Sequence, residues 1–290
     1  MKKYNLIFAL LILIIACNQK SVSSNKSTHQ QDSTSTQMPA NVDESTYTES
    51  EAEEETEVKL GDQTIPVLPD SGRIAAELVP NNWEILGYGE GYINKDKIKD
   101  LLLVIANTDS LNIIANDSTH SKDGSYIDYN PRVLAIYFGT ARGNYKKKIQ
   151  KDNFIPTKVD PDLVDPFSRI EIDKKGKICV SANYWYSMGS WSSTYEEFKF
   201  RYYNNEFQLV QYITDVFYRN GANESTRKTY NFINKKLYKV VNYPVFDDQE
   251  GKERHETTKF KWDKPLTLEN DSINSETIYE KFAKLNPTKE

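Results

Sequence analysis

The chain has 290 residues, a formal net charge of -5 and 38% hydrophobic side chains, with 19 Tyr, 12 Phe and 4 Trp. So many aromatics exclude a wholly disordered chain, and a single apolar run, at the N-terminus, excludes a polytopic helical membrane protein. The acidic balance argues against the basic patch of a nucleic-acid binder, so no nucleic acid is expected as a partner, and two Cys and three His leave little for metal chemistry, with no cofactor expected.

Residues 1–16 read as a signal peptide. Lys2 and Lys3 supply a short positive region, and Leu6 to Ala16 is an apolar run. That run is shorter than the roughly 20 residues a spanning helix needs, but it fits the core of a secretory signal. It ends in Ile14-Ile15-Ala16-Cys17, which resembles the lipobox of bacterial lipoproteins. The resemblance implies cleavage before Cys17, a diacylglycerol on its thiol and usually a further acyl chain on the new amine. It implies a membrane-anchored protein of the cell envelope, on the outer membrane with a periplasmic or surface face. Two or more chains give stable anchoring where one does not. With Cys17 acylated, Cys179 stands alone and no intrachain disulfide can form; it reads as a buried, inert thiol in a strand.

Residues 17–65 read as the lipid-bearing tether. From Asn18 to Glu57 there are nine acidic residues, two Lys and fourteen Ser or Thr, with almost no large apolar side chain. Such a stretch cannot bury enough surface to offset its ordering entropy and is expected to be disordered. Its acidic block, Glu49 to Glu57, should self-repel and extend. All the net negative charge of the mature protein sits here, since the remainder from Val58 sums to zero. A spacer of this length reaches about 38 Å.

Residues 66–290 read as one mainly β domain. A short helix is expected from Ser71 to Leu78, capped by Ser71 and closed before Pro80. Strands are expected at 83–88, 100–107, 132–138, 144–150, 168–173, 177–186, 194–203, 206–219, 226–233, 236–243 and 255–262. Turn residues separate them, such as Gly139 to Gly143, Asn204-Asn205 and Asn234-Lys235. Residues 273–285 read as an amphipathic C-terminal helix with Ile273, Thr277, Ile278 and Phe282 near one face. The pattern implies an antiparallel meander forming a sandwich or open barrel.

Within it, Gly91-Tyr92-Ile93-Asn94-Lys95-Asp96-Lys97-Ile98-Lys99-Asp100, followed by an apolar strand, resembles a single degenerate unit of the FG-GAP and VCBS repeat type. In that family the loop often holds calcium through oxygen ligands at alternating positions. Asn94, Asp96 and Asp100 match ligand positions. Tyr92 stands where the first Asp is expected and Lys97 where the Gly is expected. Lysines at 95, 97 and 99 add positive charge. The loop is therefore expected to keep its shape through side-chain-to-backbone hydrogen bonds and to leave the metal position unoccupied.

The second cluster is Asn183 to Thr194, NYWYSMGSWSST. Trp185, Tyr186 and Trp191 read either as a platform on which sugar rings stack or as cross-strand packing that sets register. No nucleophile elbow, phosphate loop, dinucleotide fingerprint or metal-spaced His or Cys pair occurs. The adjacent pairs Glu196-Glu197 and Asp247-Asp248 cannot form local dyads on strands, where neighbours face opposite ways. Three functional classes remain. The first is a non-enzymatic binding or scaffolding domain with a glycan or protein ligand; the second is an envelope hydrolase acting on glycans or peptides; the third is a purely structural spacer or immune-facing surface antigen.

Overall fold

The computed structural model describes residues 59–115, 126–219, 224–243 and 252–283. The signal peptide, Cys17, the tether as far as residue 58, His120 and Asp247-Asp248 lie outside the described residues. Among the described residues the strands, in chain order, are β1 (Ser71–Gly72), β2 (Trp83–Gly91), β3 (Asp100–Asn107), β4 (Ile113–Ala115), β5 (Tyr126–Asp128), β6 (Arg132–Gly139) and β7 (Tyr145–Lys151). They continue as β8 (Phe167–Ile172), β9 (Lys177–Tyr184), β10 (Ser192–Tyr203), β11 (Glu206–Tyr218), β12 (Ser225–Asn231), β13 (Lys236–Tyr243) and β14 (Lys252–Lys259), followed by the helix α1 (Ser275–Ala283). The protein is mainly β and antiparallel. A five-stranded sheet runs in the order β1-β7-β6-β3-β2, a seven-stranded meander in the order β14-β13-β12-β11-β10-β9-β8, and β4 pairs with β5. The meander curls into a half-barrel.

The apolar run of β3 is buried along its whole length, which is the signature of a strand covered on both faces. Leu102 and Val104, with Leu134 and Ile136 of β6, face the larger sheet and join one core with Val180, Phe198, Phe200 and Tyr212. Leu101, Leu103 and Ile105, with Val133, Ala135 and Tyr137, face the other way and join a second core closed by Leu68 and Leu78. The N-terminal segment that supplies this cover begins before residue 66. The Asp62 carbonyl accepts bonds from Asn107 and Asn112, and Ile65 packs on the second core. The expected short helix ends at Leu78 but is confined to a 3-10 turn at Ala75–Leu78, and its expected start belongs to β1, where Ser71 pairs with Lys146. Strand pairing takes the residue that would have capped a helix, and the residue before the turn offers no side-chain cap bond.

The β10–β11 connection of the meander is a tight turn. Asn204 and Asn205 between β10 and β11 both have positive φ, 50° and 66°, the backbone of the primed turns that match strand twist. One rung on the inner face reads Val180, Phe198, Tyr212, Tyr230, Leu237 across β9 to β13, and all five are buried. Helix α1 lies over this rung. The Phe282 ring sits 5.0 Å from Tyr230, 5.8 Å from Tyr212 and 5.2 Å from Phe232, and the Tyr230 hydroxyl donates to the Phe282 carbonyl. Asn274 caps α1 by accepting from the Thr277 amide at 2.7 Å, while its own amide donates to the Thr277 hydroxyl.

Candidate functional site

The inner face of the half-barrel stays apolar only as far as α1 covers it. Beyond the Phe198 rung the next residues in register are Glu196, Thr214, Lys228, Lys239 and Glu256, one from each strand from β10 to β14. Directly paired residues share a face, so this rung turns carboxylate, hydroxyl and ammonium groups inward. At its β10 end a cleft of about 670 Å³ opens. Its floor is Tyr184, Tyr186, Thr194 and Glu196 from β9, β10 and the hairpin between them. One wall is the loop after β7, through Asn153, Pro156, Thr157 and Leu163, and the other is the start of α1, through Asn274, Ser275, Glu276 and Tyr279. Tyr129 closes one end.

Glu196 is 2% exposed. Burial pushes its carboxyl up to about 7, although hydroxyls of Tyr212 and Tyr184 donate to it and oppose the rise. Its neighbour Glu197 points to the outer face, where Lys199 holds it at 2.9 Å and the Tyr195 hydroxyl donates to it at 3.0 Å. The pair is thus split between the two faces of β10, as strand geometry requires.

Arg132 borders the cleft but is 3% exposed. It grips Asp165 with two parallel bonds of 2.7 and 2.8 Å and donates to the Pro156 carbonyl at 2.8 Å. A bidentate guanidinium–carboxylate pair fixes geometry as well as charge, so Arg132 anchors the loop wall to β6. Lys158 does similar work within that loop, donating to the carbonyls of Tyr126, Asp160 and Pro161. Sequence reading missed Glu196 and Arg132 as site residues. The signal for Glu196 was present in YEEFKFRYY, where alternation puts it in line with Phe198 and Phe200.

The three rings of the aromatic hairpin have different surroundings. Tyr186 lines the cleft. Trp185 lies under the Arg219 guanidinium at 5.3 Å, and Trp191 is 76% exposed. Arg219 also donates to the carbonyls of Tyr186 and Ser190, so the turn is tied to the end of β11. Cys179 is buried, and burial pushes its thiol up to about 12, which makes it a poor nucleophile.

In the loop before β3, Asp100 is wholly buried. One of its oxygens accepts from the amides of Ile93 at 2.8 Å and Asn94 at 3.2 Å, and the other from the amide of Gly139 at 3.0 Å. Asn94 and Asp96 brace each other and the backbone: the Asn94 amide group donates to Asp96 at 2.9 Å, and Asp96 accepts from the Ile98 amide at 2.7 Å. Lys95 takes a positive φ of 67°. All three candidate ligand residues have oxygens engaged inside the loop, and among the described residues no group of three His, Cys, Asp or Glu is placed to hold a metal ion.

Comparison of the chain with protein-family models, with curated proteins and with solved structures returns no match.

Proposed function

We propose that the chain is a lipid-anchored protein of the bacterial cell envelope, held to the membrane through acylated Cys17, whose β domain binds a glycan in the cleft over Glu196. The observation that carries the binding reading is the make-up of that cleft. Tyr129, Tyr184, Tyr186 and Tyr279 bring aromatic rings to its lining, and Asn153, Thr157, Thr194, Asn274 and Ser275 bring amide and hydroxyl groups, beside the carboxyl groups of Asp152, Glu196 and Glu276. Aromatic rings together with hydrogen-bonding groups suit a hydroxyl-rich ring ligand. The lipobox and the long acidic spacer support the anchored location, because a tether of that reach lets such a domain search the space beside a membrane.

Tyr129 and Tyr279 are 36% and 44% exposed, so their replacement by Ala should leave the fold standing. Full-length protein in detergent is applied to an array of envelope glycans, with a peptide array alongside. The reading expects retention on glycans that Tyr129→Ala and Tyr279→Ala abolish. Retention on peptides alone would transfer the site to a protein ligand, and retention unaffected by either variant would overturn the cleft as the site.

One observation favours the second reading, an envelope hydrolase: a buried carboxyl poised near neutrality at the floor of a cleft has the character of a general acid. In that case the array glycans would be cleaved, and Glu196→Gln would stop cleavage while keeping retention.

A further inference from the structure

The polar rung does not end at Glu196. Further along it a second cavity, of about 410 Å³, opens on the inner face beside α1. Its lining includes Thr214, Lys228 and Lys239, and it shares only Tyr279 with the cleft over Glu196. Lys228 and Lys239 are directly paired across β12 and β13, and like charges directly opposite each other in an antiparallel pair destabilise it. Lys228 makes no ion pair among the described residues. Lys239 has Glu256 at 4.0 Å, but the other oxygen of Glu256 is held by Arg254. Thr214, paired in register with Lys228, is 8% exposed, and its hydroxyl has no hydrogen-bond partner among the described residues. A buried hydroxyl without a partner is a cost that native structures seldom leave unanswered.

We propose that Lys228, Lys239 and the Thr214 hydroxyl form a site for an oxyanion, the phosphate or carboxylate group of a ligand bound on the inner face of the half-barrel. Such a group answers two local costs together. It neutralises the paired ammonium groups and it accepts the hydrogen bond of the Thr214 hydroxyl. Two ammonium groups and one hydroxyl arrayed along a single rung match the several acceptor oxygens of such an anion. Burial and the neighbouring Lys239 both press Lys228 towards losing its proton, and a bound anion reverses that pressure. The site stands apart from the glycan reading, because its residues take no part in the cleft over Glu196 apart from Tyr279.

The test is a titration of the full-length protein in detergent with sodium phosphate, sodium acetate and sodium chloride at matched ionic strength, followed by calorimetry and by thermal unfolding. The site predicts saturable binding of phosphate or acetate, and a rise in unfolding midpoint beyond that given by chloride. A preference for phosphate assigns a phosphoryl group, and a preference for acetate a carboxylate. Lys228→Met should weaken the affinity about tenfold or more, as expected for loss of a charged hydrogen-bond partner. Lys239→Met does the same if Lys228→Met does not fold. Thr214→Val should weaken binding while raising the midpoint measured without the anion, a combination that a merely structural role would not give. A response to phosphate and acetate no larger than that to chloride, or one equal in wild type and lysine variants, would overturn the proposal.

Discussion

At the scale of single residues, the structure is most informative where a charged group is buried. Glu196 ionises less readily in the folded chain than in the unfolded one, because burial raises it from 4.5 to about 7. Its contribution to stability is therefore complete below pH 4.5 and is lost as pH rises through 7, on the order of 3 kcal/mol over that window. Glu196→Gln should remove this slope, so the difference in unfolding free energy between wild type and variant should shift towards the variant between pH 4 and pH 8. Parallel pH profiles would contradict the assignment. Asp100 is a different case. Burial raises its carboxyl, while three backbone amides oppose the rise and tie the loop, β3 and Gly139 together. Asp100→Asn should cost about 2 kcal/mol in denaturant unfolding, because its amide cannot accept where both carboxylate oxygens do. Millimolar calcium should leave the wild-type melting temperature unchanged, since a bound ion would raise it by mass action. Gly139 shows the same tightness from the other side. A Cβ there would lie 2.1 Å from the Lys99 carbonyl oxygen.

At the scale of elements, the strands were legible and the cleft was not. Alternation and turn chemistry placed β10 and β11 about Asn204-Asn205 because each signal is local: period two on the strands, positive φ at the turn. The continuous apolar run of β3 announced a strand without saying that it is covered on both sides; its second cover comes from Leu68 and Leu78, more than twenty residues upstream. The cleft walls follow no period at all. The loop after β7 is held by Arg132 reaching Asp165 and by Lys158 reaching carbonyls, pairings between positions that sequence alone does not connect. The polar rung needed register, which only the paired strands supply. Helix α1 gives the test at this scale. Ile278 and Phe282 are wholly buried, and Phe282 touches rings on β11 and β12. Phe282→Ala should destabilise the domain by about 3–5 kcal/mol in chemical unfolding, and by loosening α1 it should also weaken ligand retention in the cleft that Asn274 to Tyr279 help to wall. A loss below about 1 kcal/mol would mean that α1 is not part of the core.

At the scale of the whole molecule, the proposed protein is a lipid-anchored half-barrel whose described residues form two distinct cavities on its inner face. No helix among the described residues is long and apolar enough to cross a membrane. The proposed attachment is through Cys17 and its lipid. The charge distribution follows the same division: the net negative charge falls within residues 18–57, and the chain from Val58 onward sums to zero. Intact-mass analysis of the protein extracted from cell envelopes tests this claim most directly, with Cys17→Ser as the control. The account predicts a mature chain that begins at Cys17 and carries diacylglycerol and acyl mass, and a Cys17→Ser protein that lacks this mass and leaves the membrane fraction. An unacylated wild-type chain, or a Cys17→Ser protein that stays wholly membrane-bound, would contradict it.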